Sequence, residues 1–264
     1  MEKMLLKKIN DKKVPKINYK YENKKVALLF WGLSRSSKWT YSSLKMNILN
    51  VLEKNKIEYK IFFHTYFLKD IYNNKRANEI NIKIDNEDYK ILKPDNFSYD
   101  WQEDVIKKID FKKYYPEQDP WSNNFETFKN YILAMKSQKK VTEMFLEKKE
   151  DFDYVIYLRP DVNFLDKFNV NWFDLCKDNC IITPKFDKYG GINDRFAIMK
   201  KDLVKIYGCR IDILIDKLSL SSERRLLWIF EKYKIKNIDI NFIFQRIRIT
   251  GKIDVRDLNI YHKN

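Results

Sequence analysis

The sequence predicts an α/β fold, a mostly parallel central sheet flanked by helices, from three observations. Val26-Ala-Leu-Leu-Phe-Trp31 is an unbroken apolar run, followed by a turn, an amphipathic stretch and a second run, Tyr59-Lys-Ile-Phe-Phe63. Strand, helix and strand in that order imply a parallel pair joined by a crossover. Tyr154-Val-Ile-Tyr-Leu158 is again apolar without alternation, as strands buried on both faces are.

Taken in order, residues 1–24 are rich in Lys and Asn with few apolar anchors and read as a basic arm, leaving 25–264 as one domain. The first strand ends at Trp31, and a helix over 40–54 follows with Leu44, Ile48, Leu49, Val51 and Leu52 on its apolar face. The second strand closes at His64-Thr65. Residues 67–120 read as a variable excursion punctuated by Pro94, Pro116 and Pro120, with one short helix near 99–109. Asn123 and Glu126 suggest a capping box opening a helix that runs to Leu146. After the strand at 153–158, Pro160 ends the ladder. Strands are expected at 180–183 and 195–199, a helix from Lys201, a helix start at Ser221-Ser222-Glu223, and a last strand over 242–249.

Composition narrows the function classes. The formal charge of +15 comes from 52 Lys and Arg against 37 Asp and Glu, a balance that attracts anionic partners without naming one. A basic nucleic-acid-binding protein is one alternative, but no recognised nucleic-acid module is present and the basic residues do not cluster on one predicted element. Nucleic acid is therefore not expected as the partner. Cys176, Cys180 and Cys209 are odd in number and lack paired spacing, which argues against a disulfide framework or zinc ribbon. With no signal-peptide core and no apolar span, a cytoplasmic, soluble monomer is expected.

The candidate chemistry gathers at strand ends, where ligands bind in open α/β sheets. Asp161, in the Arg159-Pro160-Asp161 turn, sits at the carboxyl end of a rigid strand, and a carboxylate held there suits Mn²⁺ or Mg²⁺, which in turn suits a diphosphate. Gly32-Leu-Ser-Arg35 offers backbone amides and a guanidinium to a nucleotide, although it lacks the glycines of a Walker or dinucleotide loop. Gly190-Gly-Ile-Asn193-Asp194-Arg195 places an acid where it can orient or deprotonate a hydroxyl, or else simply cap its own turn. Glu223 lies in a helix's first turn, where the dipole alone would favour it. His64 and His262 are the only histidines; His64 is placed at the same sheet edge as Asp161, and His262 in the tail could fold back as a metal ligand.

Together these segments resemble GT-A-type nucleotide-sugar glycosyltransferases, with a strand, Gly-x-x-Arg, Phe-x-His-Thr and Arg-Pro-Asp in that order. The likeness is carried by 26–35, 62–66, 154–164, 191–198, Ser222-Glu223, Phe244-Gln-Arg246-Ile-Arg248 and Gly251. It implies a single GT-A-like (Rossmann-like) domain that moves a sugar from a nucleoside diphosphate sugar to a hydroxyl on a glycan or glycoconjugate. A relative of the same fold that only binds carbohydrate is a second alternative. By position, Asp161 looks like the metal-binding acid, Gly32, Arg35, His64 and Arg159 like parts of the donor pocket, and Asp194 or Glu223 like the acceptor-side base. Arg159 stands where the usual Asp-x-Asp carries its first acid. Asp161→Asn, which removes charge and keeps shape, is expected to end transfer with the fold intact.

Overall fold

The structure is a computed structural model that describes residues 19–119, 121–213 and 221–258. Most of the expected basic arm, 1–18, and the tail with His262 lie outside these residues. The chain is already docked at Tyr21, which is buried edge-on against Phe173, with ring centroids 5.7 Å apart.

The central sheet has seven strands: β1 (Lys25–Trp31), β2 (Glu58–Phe67), β5 (Asn96–Trp101), β6 (Tyr154–Leu158), β8 (Cys180–Pro184), β9 (Phe196–Met199) and β10 (Lys236–Ile240), in the order β10-β8-β9-β6-β1-β2-β5. β1, β2, β5 and β6 run parallel, as do β8 and β10, while β9 is antiparallel to both its neighbours. Two small ribbons stand outside it: β3 (Tyr72–Asn74) with β4 (Glu79–Ile82), and β7 (Val162–Phe164) with β11 (Phe244–Arg246).

Alternation along β1 divides the core. Ala27, Leu29 and Trp31 face the long helix Glu126–Leu146 and the helix Lys201–Gly208, packing with Ile132, Val141, Phe145 and Val204. Val26, Leu28 and Phe30 face the opposite side, against Leu44, Ile48 and Leu52. Those three belong to one helical run, Ser37–Leu44, Lys45–Leu49 and Asn50–Lys54, whose middle segment is π-helical. Next to that wider turn, Asn47 accepts from the Phe168 amide at 2.8 Å and donates to the Phe164 carbonyl at 2.7 Å, tying the helix to β7.

Several expectations change. β2 continues to Phe67, so His64 lies within the strand and does not close it. The excursion holds an edge strand, β5, directly before the helix Gln102–Lys108. The capping box does not form: Phe125 occupies the cap position with φ +58, and Asp119 accepts the Asn123 and Phe125 amides at 2.7 and 2.9 Å. The last strand shrinks to β11, and the edge strand β10 forms without having been expected. Among the described residues no helix is long and apolar enough to cross a membrane, and all three cysteines are buried and unpaired.

Candidate active site

β1 is followed in sequence by β2 on one side, and its other neighbour is β6, so the strand order reverses between β1 and β6. A crevice at the carboxyl ends of such a pair is where open α/β sheets take ligands. The loops after β1 and β6 open there onto a cleft of about 240 Å³, whose walls include Gly32, Arg35, Arg159, Asp161 and Asp194.

The turn after β1 is held by side chains behind it. Gly32 has φ +98, a conformation that suits glycine, and a Cβ there would meet nothing within 4 Å. Its amide donates to Ser137 Oγ at 2.8 Å, and that of Ser34 to Thr65 Oγ1 at 2.9 Å. Asp88 accepts the Ser37 amide at 2.8 Å, occupying the helix start. These backbone donors, expected to meet phosphates, are thus satisfied within the protein. What the turn presents to the cleft is the guanidinium of Arg35.

Asp161 is 2% exposed and bound bidentately by Arg159, Nε to Oδ1 and Nη2 to Oδ2 both at 2.7 Å, with Arg35 3.6 Å from Oδ2. Burial pushes this carboxyl up, but the guanidiniums of Arg159 and Arg35 outweigh it and hold it well below the usual carboxylate range. The Asp161 carbonyl accepts the Ile247 amide at 2.8 Å, and Ser36 Oγ donates to the Ile247 carbonyl at 2.9 Å. These bonds lay the segment after β11 over the cleft and bring in Arg246 and Arg248. Glu79 of β4 then lies 3.6 Å from Arg35 and 3.9 Å from Arg248.

The expected Mn²⁺ or Mg²⁺ can be tested against these donors. Such cations take about six oxygen ligands, several of them anionic. Both Asp161 oxygens are already engaged by one guanidinium and faced by a second, and among the described residues no group of three His, Cys, Asp or Glu is placed to hold a metal. The residues described here do not fit the cation, and His262 lies outside them.

Asp194, in the loop before β9, and Glu223, in the first turn of a helix, lie close enough for their charges to interact. Asn193, not Asp194, makes the turn: its Oδ1 accepts the Arg195 amide at 3.0 Å, leaving the Asp194 side chain to line the cleft. Gly191 packs against the start of the helix Ser222–Lys232 so closely that a Cβ would fall 2.1 Å from the Glu223 carbonyl carbon and oxygen. Ile192 donates to that same carbonyl at 3.0 Å. Burial, then the Asp194 charge, raises the Glu223 carboxyl above its ordinary value, with Arg195, 3.4 Å away, pulling the other way.

A pH dependence follows. The folded chain keeps the Glu223 proton at pH values where the unfolded chain, near its ordinary 4.5, has lost it, so this group costs stability as pH rises through that interval. Glu223→Gln removes the titration. In urea denaturation its stability relative to wild type is expected to improve as pH rises above about 4.5; parallel curves would show that the carboxyl is not raised.

His64 does not line the cleft. It is 1% exposed, and burial holds it neutral. Its Nε2 lies 3.2 Å from Asp100 and its Nδ1 2.8 Å from Ser137 Oγ, which donates to the His64 carbonyl at 2.9 Å. His64 thus acts through Ser137 on the Gly32 amide, one layer behind the position its sequence motif implied.

The strongest feature of the cleft was not read from the sequence. The chain has 42 lysines and 10 arginines; among the described residues no lysine lines the cleft, but seven arginines do, namely Arg35, Arg76, Arg159, Arg195, Arg246, Arg248 and Arg256. Arg246 is held by Asp257, with Nε 2.8 Å from Oδ2, and Arg248 and Arg256 both bind Asp254. Arg35 Nε, Tyr131 OH and Arg195 Nη1 are buried donors of the cleft wall with no hydrogen-bond partner among the described residues.

No family model matches the chain, and no curated protein does. Among solved structures, apo mouse xyloside xylosyltransferase 1 aligns at 9% identity and TM-score 0.41 over 82% of this chain and 85% of that one. A glycosyltransferase involved in glycosylation of the major capsid of PBCV-1 aligns at 12% identity and TM-score 0.42, over 82% and 81%.

Proposed function

We propose that the protein is a glycosyltransferase, moving a sugar from a nucleoside diphosphate sugar to a hydroxyl of a glycan or glycoconjugate. The observation that carries this reading is the convergence of guanidiniums with the buried carboxylates Asp161 and Asp194 on a single cleft at the β1/β6 switch point. The ordered motifs that resemble GT-A enzymes supply several of those same groups.

The chemistry assigns each side a task. As the bond from the anomeric carbon to the diphosphate oxygen breaks, its electron pair stays on the diphosphate, and fixed guanidiniums stabilise the developing charge. The acceptor oxygen forms the new bond to that carbon, and its proton passes to a carboxylate. Asp194 is the first candidate base and Glu223 the second; an enzyme that retains configuration needs neither in that role. Trp31 and Tyr72 back the cleft wall, their rings covered by the Arg159 and Arg35 guanidiniums at 5.1 and 5.3 Å.

The test is a panel of UDP-, GDP- and dTDP-sugars followed by thermal unfolding and by release of nucleoside diphosphate. At least one donor is expected to raise the melting temperature and to be turned over, since a ligand selective for the native state stabilises it. A panel without binding or turnover rejects the reading.

A further inference from the structure

We infer that this cleft neutralises the diphosphate of its donor with guanidinium groups, Arg76, Arg248 and Arg256 beside Arg35, in place of a divalent cation held by Asp161. The inference rests on the donor reading above and adds how the charge is met. A chain with 42 lysines and 10 arginines that lines one cleft, among the described residues, with seven arginines and no lysine has selected the planar fork over the point charge. That fork matches phosphate oxygens two at a time.

The backbone amides of the β1 turn and the carboxylate expected from the sequence to hold a diphosphate are occupied. The Ser37 amide at the helix start is bound by Asp88, the Gly32 and Ser34 amides by Ser137 and Thr65, and both Asp161 oxygens by Arg159. Several of the guanidiniums, by contrast, share their carboxylates. Beyond Asp161, Arg35 and Arg248 share Glu79, and Arg248 and Arg256 share Asp254. Arg76, on the turn between β3 and β4, has no ion-pair partner among the described residues and lies over the Trp121 ring at 5.1 Å. Burial, then Arg256 and Arg246, pull its guanidinium below the ordinary value, a repulsion that a bound anion would relieve. Arg35 Nε is a further donor, on a side chain 8% exposed, with no hydrogen-bond partner among the described residues.

Inorganic pyrophosphate is the probe, titrated into the full chain in EDTA and again in MnCl₂. The expected result is the same rise in melting temperature in both, and about 10- to 100-fold weaker binding to Arg76→Ala, with little of the loss recovered in Arg76→Lys, whose point charge lacks the fork. Pyrophosphate binding that needs Mn²⁺, or that is indifferent to Arg76, overturns the inference. The sugar-nucleotide panel in the same two buffers separates the two readings. A donor that binds only with Mn²⁺ keeps the transferase reading and rejects the metal-free site; pyrophosphate bound in EDTA with no donor bound keeps the site and rejects the transferase.

Discussion

Asp161→Asn is expected to abolish transfer and also to cost about 3–5 kcal/mol of folding stability, because it leaves a buried guanidinium without its counter-charge. Arg159 donates twice to this carboxylate, Arg35 lies 3.6 Å away, and Asp161 is 2% exposed, so solvent cannot replace what the amide lacks. This differs from the expectation drawn from the sequence, in which the same substitution spares the fold. A metal ligand on a solvated lip could be neutralised cheaply; a carboxylate enclosed by two guanidiniums cannot. Urea denaturation of the variant measures the effect, and a midpoint shift equivalent to less than about 1 kcal/mol, the worth of an exposed pair, would mean that the pair is solvated.

Gly191→Ala should rank next, at about 3 kcal/mol with loss of turnover. Its methyl group would sit 2.1 Å from the Glu223 carbonyl atoms, and backbone in the first turn of a helix has no rotamer by which to yield. Either the Gly190–Gly191 loop or the helix start must move, which breaks the bond from the Ile192 amide to the Glu223 carbonyl and separates Glu223 from Asp194. Thermal unfolding and donor turnover, read side by side, check this. Wild-type values for both would show that the two loops are not docked.

The parts of the fold that were legible follow from burial. β1, β2 and β6 lie inside the sheet with both faces covered, so their apolar runs stand out as strands. β5 and β10 are the two edges. Asn96-Phe-Ser-Tyr-Asp-Trp101 and Lys236-Asn-Ile-Asp-Ile240 carry polar residues at solvated positions and resemble loops when read alone. The site divides in the same way. Arg35, Asp161 and Asp194 adjoin strand ends and Glu223 a helix start, so local pattern located them. Arg76 and Arg256 come from a hairpin and a terminal segment whose approach depends on distant contacts, such as Trp39 Nε1 donating to the Ile249 carbonyl at 3.1 Å. One signal was present in the sequence all the same. Arginine is scarce in this lysine-rich chain, and its positions mark the cleft.

The most direct measurement of the central claim is a crystal structure of the protein soaked with whichever sugar nucleotide stabilises it. The account predicts the diphosphate between the loops after β1 and β6, in contact with Arg35, Arg76 and Arg248, and the anomeric carbon facing Asp194 and Glu223. A donor bound elsewhere, with that cleft empty, would contradict it.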